Sequence, residues 1–385
     1  MISSPFYSPE RINYSKSSVS PPLQIFKQVA SSVTTPIVLD GVFFSKSDFG
    51  RLTCYLEITG EVKWTSQTEK ILTSSPLKCA DKLYVIDYEN EDVLTLDVRN
   101  GRQLENLGEC DTTDWLVKKK NIYLNVTDRG HEYRKQLYCR EGDTYKTNWV
   151  YRGFQFDSYA ASEDYIVLKD RDGGLAGLDT SGREIWRLSP LDVGLFSSQS
   201  VIDAIPDSKP GLSNLNRTIG YPMIYQNRIG IVPMLDNHLI GVDITTGKVL
   251  WTRKAENSHN WIRQGYCSEV YCLSSDYIEA FSLETGKQTK KVAIDASYIS
   301  KSLGVETISF TQFTVSETHI FAASSIMQYF SAIDIKTGNV DWTFNPEESI
   351  TATDQPYVAN GRVYYPCLGK MYIFEGRDGY IPPTT

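Results

Sequence analysis

The chain has 385 residues, 41% hydrophobic and 22% charged, which supplies a large buried core and excludes a disordered or fibrous chain. Its 39 basic and 47 acidic residues leave a net charge of −8, against the basic surface a general nucleic-acid binder needs to displace counterions. No apolar run approaches the ~20 residues of a membrane helix, and the seven cysteines show no framework spacing, as expected of a reduced, cytoplasmic protein.

Residues 1–22, rich in Ser, Pro and Tyr, read as a flexible N-terminal arm with no basic start and apolar stretch of a secretory signal. A periplasmic or surface location is expected only if such a signal had been removed. From residue 23 to 379 one phrase recurs: an apolar residue, an acid, a short turn ending in Gly, and a Trp four positions on. It reads LEITGEVKW to Trp64, LDTSGREIW to Trp186, VDITTGKVLW to Trp251 and IDIKTGNVDW to Trp342. Weaker copies surround Gly101, Gly142 (ending at Trp149) and Gly286, and a half-copy ends at Gly379, before a tail of residues 380–385.

The turn glycines are therefore Gly60, Gly101, Gly142, Gly182, Gly247, Gly286, Gly338 and Gly379, and most intervals are close to 40 residues. A period near 40, filled by short Val-, Ile-, Tyr- and Phe-rich runs instead of 3.6-residue periodicity, is that of four-stranded propeller blades. Two-residue turns at Asp40-Gly41, Gln226-Asn227 and Asn360-Gly361 mark hairpins. In each phrase the acid (Asp97, Asp179, Asp243, Asp334) accepts bonds from turn amides two residues on, and Gly supplies the positive φ. The Trp opens the outer strand and packs on the neighbouring blade.

After Gly379 too little chain remains for a fourth strand in the last unit. Phe26 lies 10 residues before Pro36, much as Trp64 lies 12 before Pro76, so residues 23–30 supply that strand. The expected fold is all-β: an eight-bladed β-propeller closed by the N-terminal strand, with seven blades as the alternative. Its docking residues are Phe26, Trp64, Trp149, Trp186, Trp251 and Trp342.

The strong phrases closely resemble the tryptophan-docking motif of the pyrroloquinoline-quinone-like propeller repeats, best matched by Ala332, Asp334, Thr337, Gly338 and Trp342. That resemblance implies two branches: quinone-dependent dehydrogenases, and non-catalytic propellers that bind proteins, such as the lipoprotein of the outer-membrane barrel assembly machinery. The dehydrogenase branch implies adjacent cysteines beside the quinone, a Glu/Asn/Asp calcium site with an Asp base in the axial funnel, and a secretory signal. No two cysteines here are neighbours.

His131, His238, His259 and His319 lie in different units without metal-ligand spacing. The run Lys169–Gly174 lacks the downstream Glu of a calcium loop and reads as a turn between the second and third strands of blade four. No nucleophile elbow or phosphate-binding glycine loop occurs. These readings assign no catalytic residue, no metal and no cofactor.

The long intervals, between Gly182 and Gly247 and between Gly286 and Gly338, place extra chain at 187–220 and near 295–311. Both insertions follow an outer strand, and topology puts them on the face of the second-to-third-strand loops. That face carries the acidic cluster at 87–92, an aromatic tip and one partly apolar arm. Its candidate partner-binding residues are Tyr88, Glu89, Glu91, Asp92, Tyr133, Leu195, Phe196, Ile202 and Ile205. The expectation is a non-catalytic scaffold binding a protein through this face, including an immunity or regulatory role against a basic partner. The alternatives are a quinone- or calcium-dependent oxidoreductase and an exported envelope assembly factor.

Overall fold

The computed structural model describes residues 12–379 apart from 14–18, 31–36, 47–49, 73–75, 110–111, 129–133, 171–172, 190–191, 193–220, 234–237, 255–261, 302–309, 325–328, 347–354 and the single positions 40, 69, 71, 88, 154, 296, 298, 300, 368 and 378. Two strands precede the repeat, β1 (Ile12–Asn13) and β2 (Gln24–Ala30). Blade one is β3 (Ile37–Leu39), β4 (Val42–Lys46), β5 (Leu52–Leu56) and β6 (Val62–Thr65). Blade two is β7 (Leu77–Cys79), β8 (Lys82–Ile86), β9 (Asp92–Asp97) and β10 (Gln103–Glu109). Blade three is β11 (Thr112–Lys118), β12 (Asn121–Asp128), β13 (Arg134–Glu141) and β14 (Thr147–Tyr151). Blade four is β15 (Ser158–Ala161), β16 (Tyr165–Lys169), β17 (Leu175–Asp179) and β18 (Glu184–Leu188).

Blade five is β19 (Met223–Tyr225), β20 (Ile229–Pro233), β21 (His238–Asp243) and β22 (Val249–Lys254). Blade six is β23 (Ile262–Tyr266), β24 (Glu269–Leu273), β25 (Tyr277–Ser282) and β26 (Gln288–Ala293). Blade seven is β27 (Gln312–Val315), β28 (His319–Ser324), β29 (Tyr329–Asp334) and β30 (Val340–Phe344). Blade eight is β31 (Tyr357–Ala359), β32 (Arg362–Cys367) and β33 (Lys370–Glu375), with β2 as its outer strand, Gln24 opposite Glu375 and Ala30 opposite Lys370. The protein is thus an eight-bladed, all-β propeller whose last blade is completed by the N-terminal strand.

The strand patterns follow from this architecture. A middle strand has a neighbouring blade on each side and is buried almost throughout, as in β28 (HIFAAS), whereas an outer strand such as β22 (VLWTRK) buries little beyond its Trp. The core divides accordingly into eight apolar clusters, one between each pair of adjacent blades. Between blades one and two, Phe44, Cys54 and Trp64 meet Leu83, Val85 and Leu96. The hairpins take the primed turn that matches strand twist, with Gln226 and Asn227 at φ 50° and 53° and Asn360 and Gly361 at 50° and 77°.

First strands of adjacent blades approach one another (β7 and β11, β15 and β19, β23 and β27, β27 and β31), so they line the axis. They run toward the face bearing the docking turns. The second-to-third-strand loops and the blade-to-blade connections share the opposite face. No helix among the described residues is long and apolar enough to cross a membrane.

Candidate interaction face and axial channel

The docking-turn face is built by hydrogen bonds within the recurring phrase. Asp97, Asp179, Asp243 and Asp334 accept from the amides of Arg99, Ser181, Thr245 and Lys336 at 2.9, 3.0, 2.9 and 2.8 Å. The Arg99 side chain and these turn bonds hold Asp97 down at about 2. Burial works against ionisation of Asp179, Asp243 and Asp334, but their turn bonds outweigh it and lower them too.

Trp64, Trp149, Trp186 and Trp251 lie so close to the next blade's turn that a Cβ on Gly101, Gly182, Gly247 or Gly286 would fall under 3.0 Å from the indole. The Nε1 atoms of Trp64, Trp149 and Trp186 donate to Val98 O (3.1 Å), Thr180 O (2.9 Å) and Ile244 O (2.6 Å). Phe26 reaches the same place in blade one, 3.2 Å from where a Cβ on Gly60 would sit. Trp342 differs: it packs edge-on against Phe374 at 5.1 Å, and a Cβ on Gly379 would meet nothing within 4 Å.

Blade three corrects the sequence reading. Its positive-φ turn residue is Tyr145 (φ 59°), not Gly142, and Tyr145 N donates to Glu141 O at 2.8 Å just as Gly101 N donates to Asp97 O. Trp149 is then four residues past the turn, in frame with the others. The reason lies in blade two, where Glu105 occupies the usual Trp position and pairs with Lys82 at 3.1 Å. With no indole requiring space, the next turn carries a large side chain, and Tyr145 stacks on Tyr84 (5.9 Å) beneath the Arg140 guanidinium (4.3 Å). Blade six likewise has Lys290 in the Trp position, bonded to Glu269 at 2.8 Å.

Ring closure is welded by a buried polar network between blades eight and one. The Glu57 carboxylate, fully buried, accepts from Asn360 Nδ2 (2.8 and 2.9 Å) and Tyr364 OH (3.0 Å). Arg362, 2% exposed, donates to the carbonyls of Glu57 and Ile58, pairs with Glu375 at 2.8 Å and stacks over Phe26 at 3.6 Å. Burial, reinforced by Glu57, raises the Tyr364 hydroxyl well above its ordinary value. None of these long-range partners was legible in the sequence.

On the loop face the acidic run resolves into two kinds of residue. Asp87 is buried, accepting from Glu89 N (3.3 Å) and Asn90 Nδ2 (2.9 Å) with Lys70 Nζ at 3.3 Å, so it shapes the turn. Asp92 accepts from Asn106 Nδ2 at 2.7 Å, Glu91 is half-buried at φ 56°, and Glu89 is exposed. Tyr88, Tyr133, Leu195, Phe196, Ile202 and Ile205 lie outside the described residues. In the 295–311 connection, Ile299 and Phe310 are buried in the cluster between blades six and seven and anchor it there. Asp170 and Gly174 close the blade-four turn, Gly174 N to Asp170 Oδ1 at 2.6 Å, as the sequence reading has it.

One titratable cluster was missed because its members come from three strands. His319, Asp334 and Asp341 bring ligand atoms within 4.8 Å of one another, a set able to hold a divalent cation. His319 Nε2 lies 3.1 Å from Asp341 Oδ2, and its Nδ1 lies 2.8 Å from Thr318 Oγ1. Lys82, Glu269 and Arg362 start the second strands of blades two, six and eight at the same station, each in an ion pair, so the His319–Asp341 contact takes the place of a blade-edge ion pair. The six described cysteines form no disulfide, and burial pushes the Cys54 thiol up to about 12 and Cys139 to about 11.

Eight four-stranded blades, docked by indoles on turn glycines and closed by an N-terminal strand, define a quinoprotein-type β-propeller. The family model described as outer membrane protein assembly factor BamB matches residues 16–189 and 133–297, well over half of the sequence, and the chain belongs to that family. Among solved structures it is similar to BamB from Moraxella catarrhalis (TM-score 0.64, 14% identity, covering 94% of this chain and 99% of that one). It is also similar to the computationally designed Ika8 protein (0.63, 13%, 95% and 100%) and to quinohemoprotein alcohol dehydrogenase from Comamonas testosteroni (0.62, 10%, 98% and 80%). At these identities the likeness is one of fold. No curated protein matches the chain at the level of sequence.

Proposed function

We propose that the protein is a non-catalytic scaffold that binds another protein through the loop face, chiefly by the 187–220 arm and the 295–311 connection. The observation that carries this reading is the division of labour between the two faces. The docking-turn face is a repeated structural lattice, whereas the departures from the blade period fall on the opposite face. The family description, an outer membrane protein assembly factor, supports protein binding and favours an envelope location over a cytoplasmic one. The net charge of −8 and the exposed Glu89 suit a basic partner, including one neutralised by an immunity or regulatory protein.

Affinity capture with intact protein and with a 190–218 deletion, read by mass spectrometry, tests the assignment. The expected result is a stoichiometric partner held by the intact chain and lost by a deletion variant that keeps the native circular dichroism. Equal capture by both would refute the role of the arm. If the partner is basic, its association rate falls steeply with added salt; a flat salt dependence contradicts that part.

A further inference from the structure

The N-terminal segment does more than close the ring. β1 pairs in parallel with β23, Ile12 opposite Gly265 and Asn13 opposite Tyr266. β24 holds the other edge of β23, so β1 lies on the edge that faces the axis, where it also approaches β19, the first strand of blade five. Being parallel to β23, it runs toward the docking-turn face. The next described stretch lies on that side. Val19 is 1% exposed and lies beside Gly376, and Arg377 N donates to Ser20 O at 2.9 Å. From Leu23, also buried, the chain returns as β2 on the rim of blade eight.

Two features mark blade six for this pairing. Among the described residues its sheet is the one with a fifth strand. Beside Gly265 sits Gln264, 3% exposed, with neither amide atom partnered. A sheet edge presents unpaired N–H and C=O groups, and an extended peptide added there gains main-chain bonds whatever its side chains.

We propose that the axis-facing edge of β23 is a strand-addition site for an extended peptide, and that its occupant is the chain's own N-terminal segment. Tethering through β2 gives that segment a high effective concentration at the site. Among the described residues two pair, so a peptide supplied in trans can take their place. The site is the axis-facing edge of blade six, whereas the partner-binding loops proposed above lie on the loop face.

Hydrogen exchange on the full chain tests this against a variant lacking residues 2–13 and against the full-length Ile12→Pro/Asn13→Pro variant, both of which retain β2. The axis-facing amides of 262–266 should exchange about three- to tenfold faster in each variant, the change expected for losing one or two net hydrogen bonds. Exchange in β15, β27 and β32 should be unchanged, and a synthetic peptide of residues 2–18 added to the truncated protein should restore protection. Unaltered exchange at 262–266 would overturn the proposal. So would a uniform rise across all blades, which would make the segment a general stabiliser, or failure of the peptide to restore protection.

Discussion

An indole on one blade and the absence of a side chain on the next are two halves of one joint. Trp64→Ala should cost about 3–5 kcal/mol in denaturant unfolding, as for a large buried aromatic, and Gly101→Ala should destabilise through both its φ of 70° and the occupied space. The Glu105–Tyr145 joint is the inverse arrangement. Glu105→Trp alone should destabilise by overpacking, and Tyr145→Gly by leaving a void. The double variant should recover about 1–2 kcal/mol relative to their sum, measured as a double-mutant cycle; strict additivity would contradict this account of the joint. Asp97 carries a pH signature, being held at about 2 when folded against an ordinary 3.8. Its contribution is complete above about pH 4 and disappears as pH falls through 2. Asp97→Asn should therefore be less stable than the parent at neutral pH, with the difference shrinking steadily between pH 4 and 2.

At the scale of elements, the blades were legible because each phrase is local: acid, turn, glycine and indole fall within about ten residues. Phe26 carried enough of that pattern to place the closing strand, and β2 is the outer strand of blade eight. What could not be read depends on distant partners. The sequence gives no hint that Glu57 meets Asn360, Arg362 and Tyr364, since about 300 positions separate them and only ring closure unites them. Gly142 misled for a related reason: at this joint Glu105 of the previous blade leaves room for Tyr145 in the turn. β1 was equally hidden, because a two-residue strand has no periodicity to detect. Glu57→Ala should cost about 2–5 kcal/mol by stranding the Asn360 amide and the buried Tyr364 hydroxyl, with faster hydrogen exchange in β2 and β33 than in blade four. A loss spread evenly over all blades would show that the network is not a local weld.

For the whole molecule, the candidate site was legible only as a face. Topology places the long connections together, but residue-level contacts within 193–220 lie outside the described residues, and of the acidic cluster Asp87 is spent inside its own turn. In the reading proposed above, the ring is the platform and the loops carry recognition. The most direct measurement is a hydrogen-exchange footprint of the captured complex against the free protein. The account predicts protection concentrated on the loop face, at residues 87–91, 187–220 and 294–311, with the docking turns at Gly101, Gly182 and Gly247 unchanged. Protection centred on those turns or on the outer strands would contradict it.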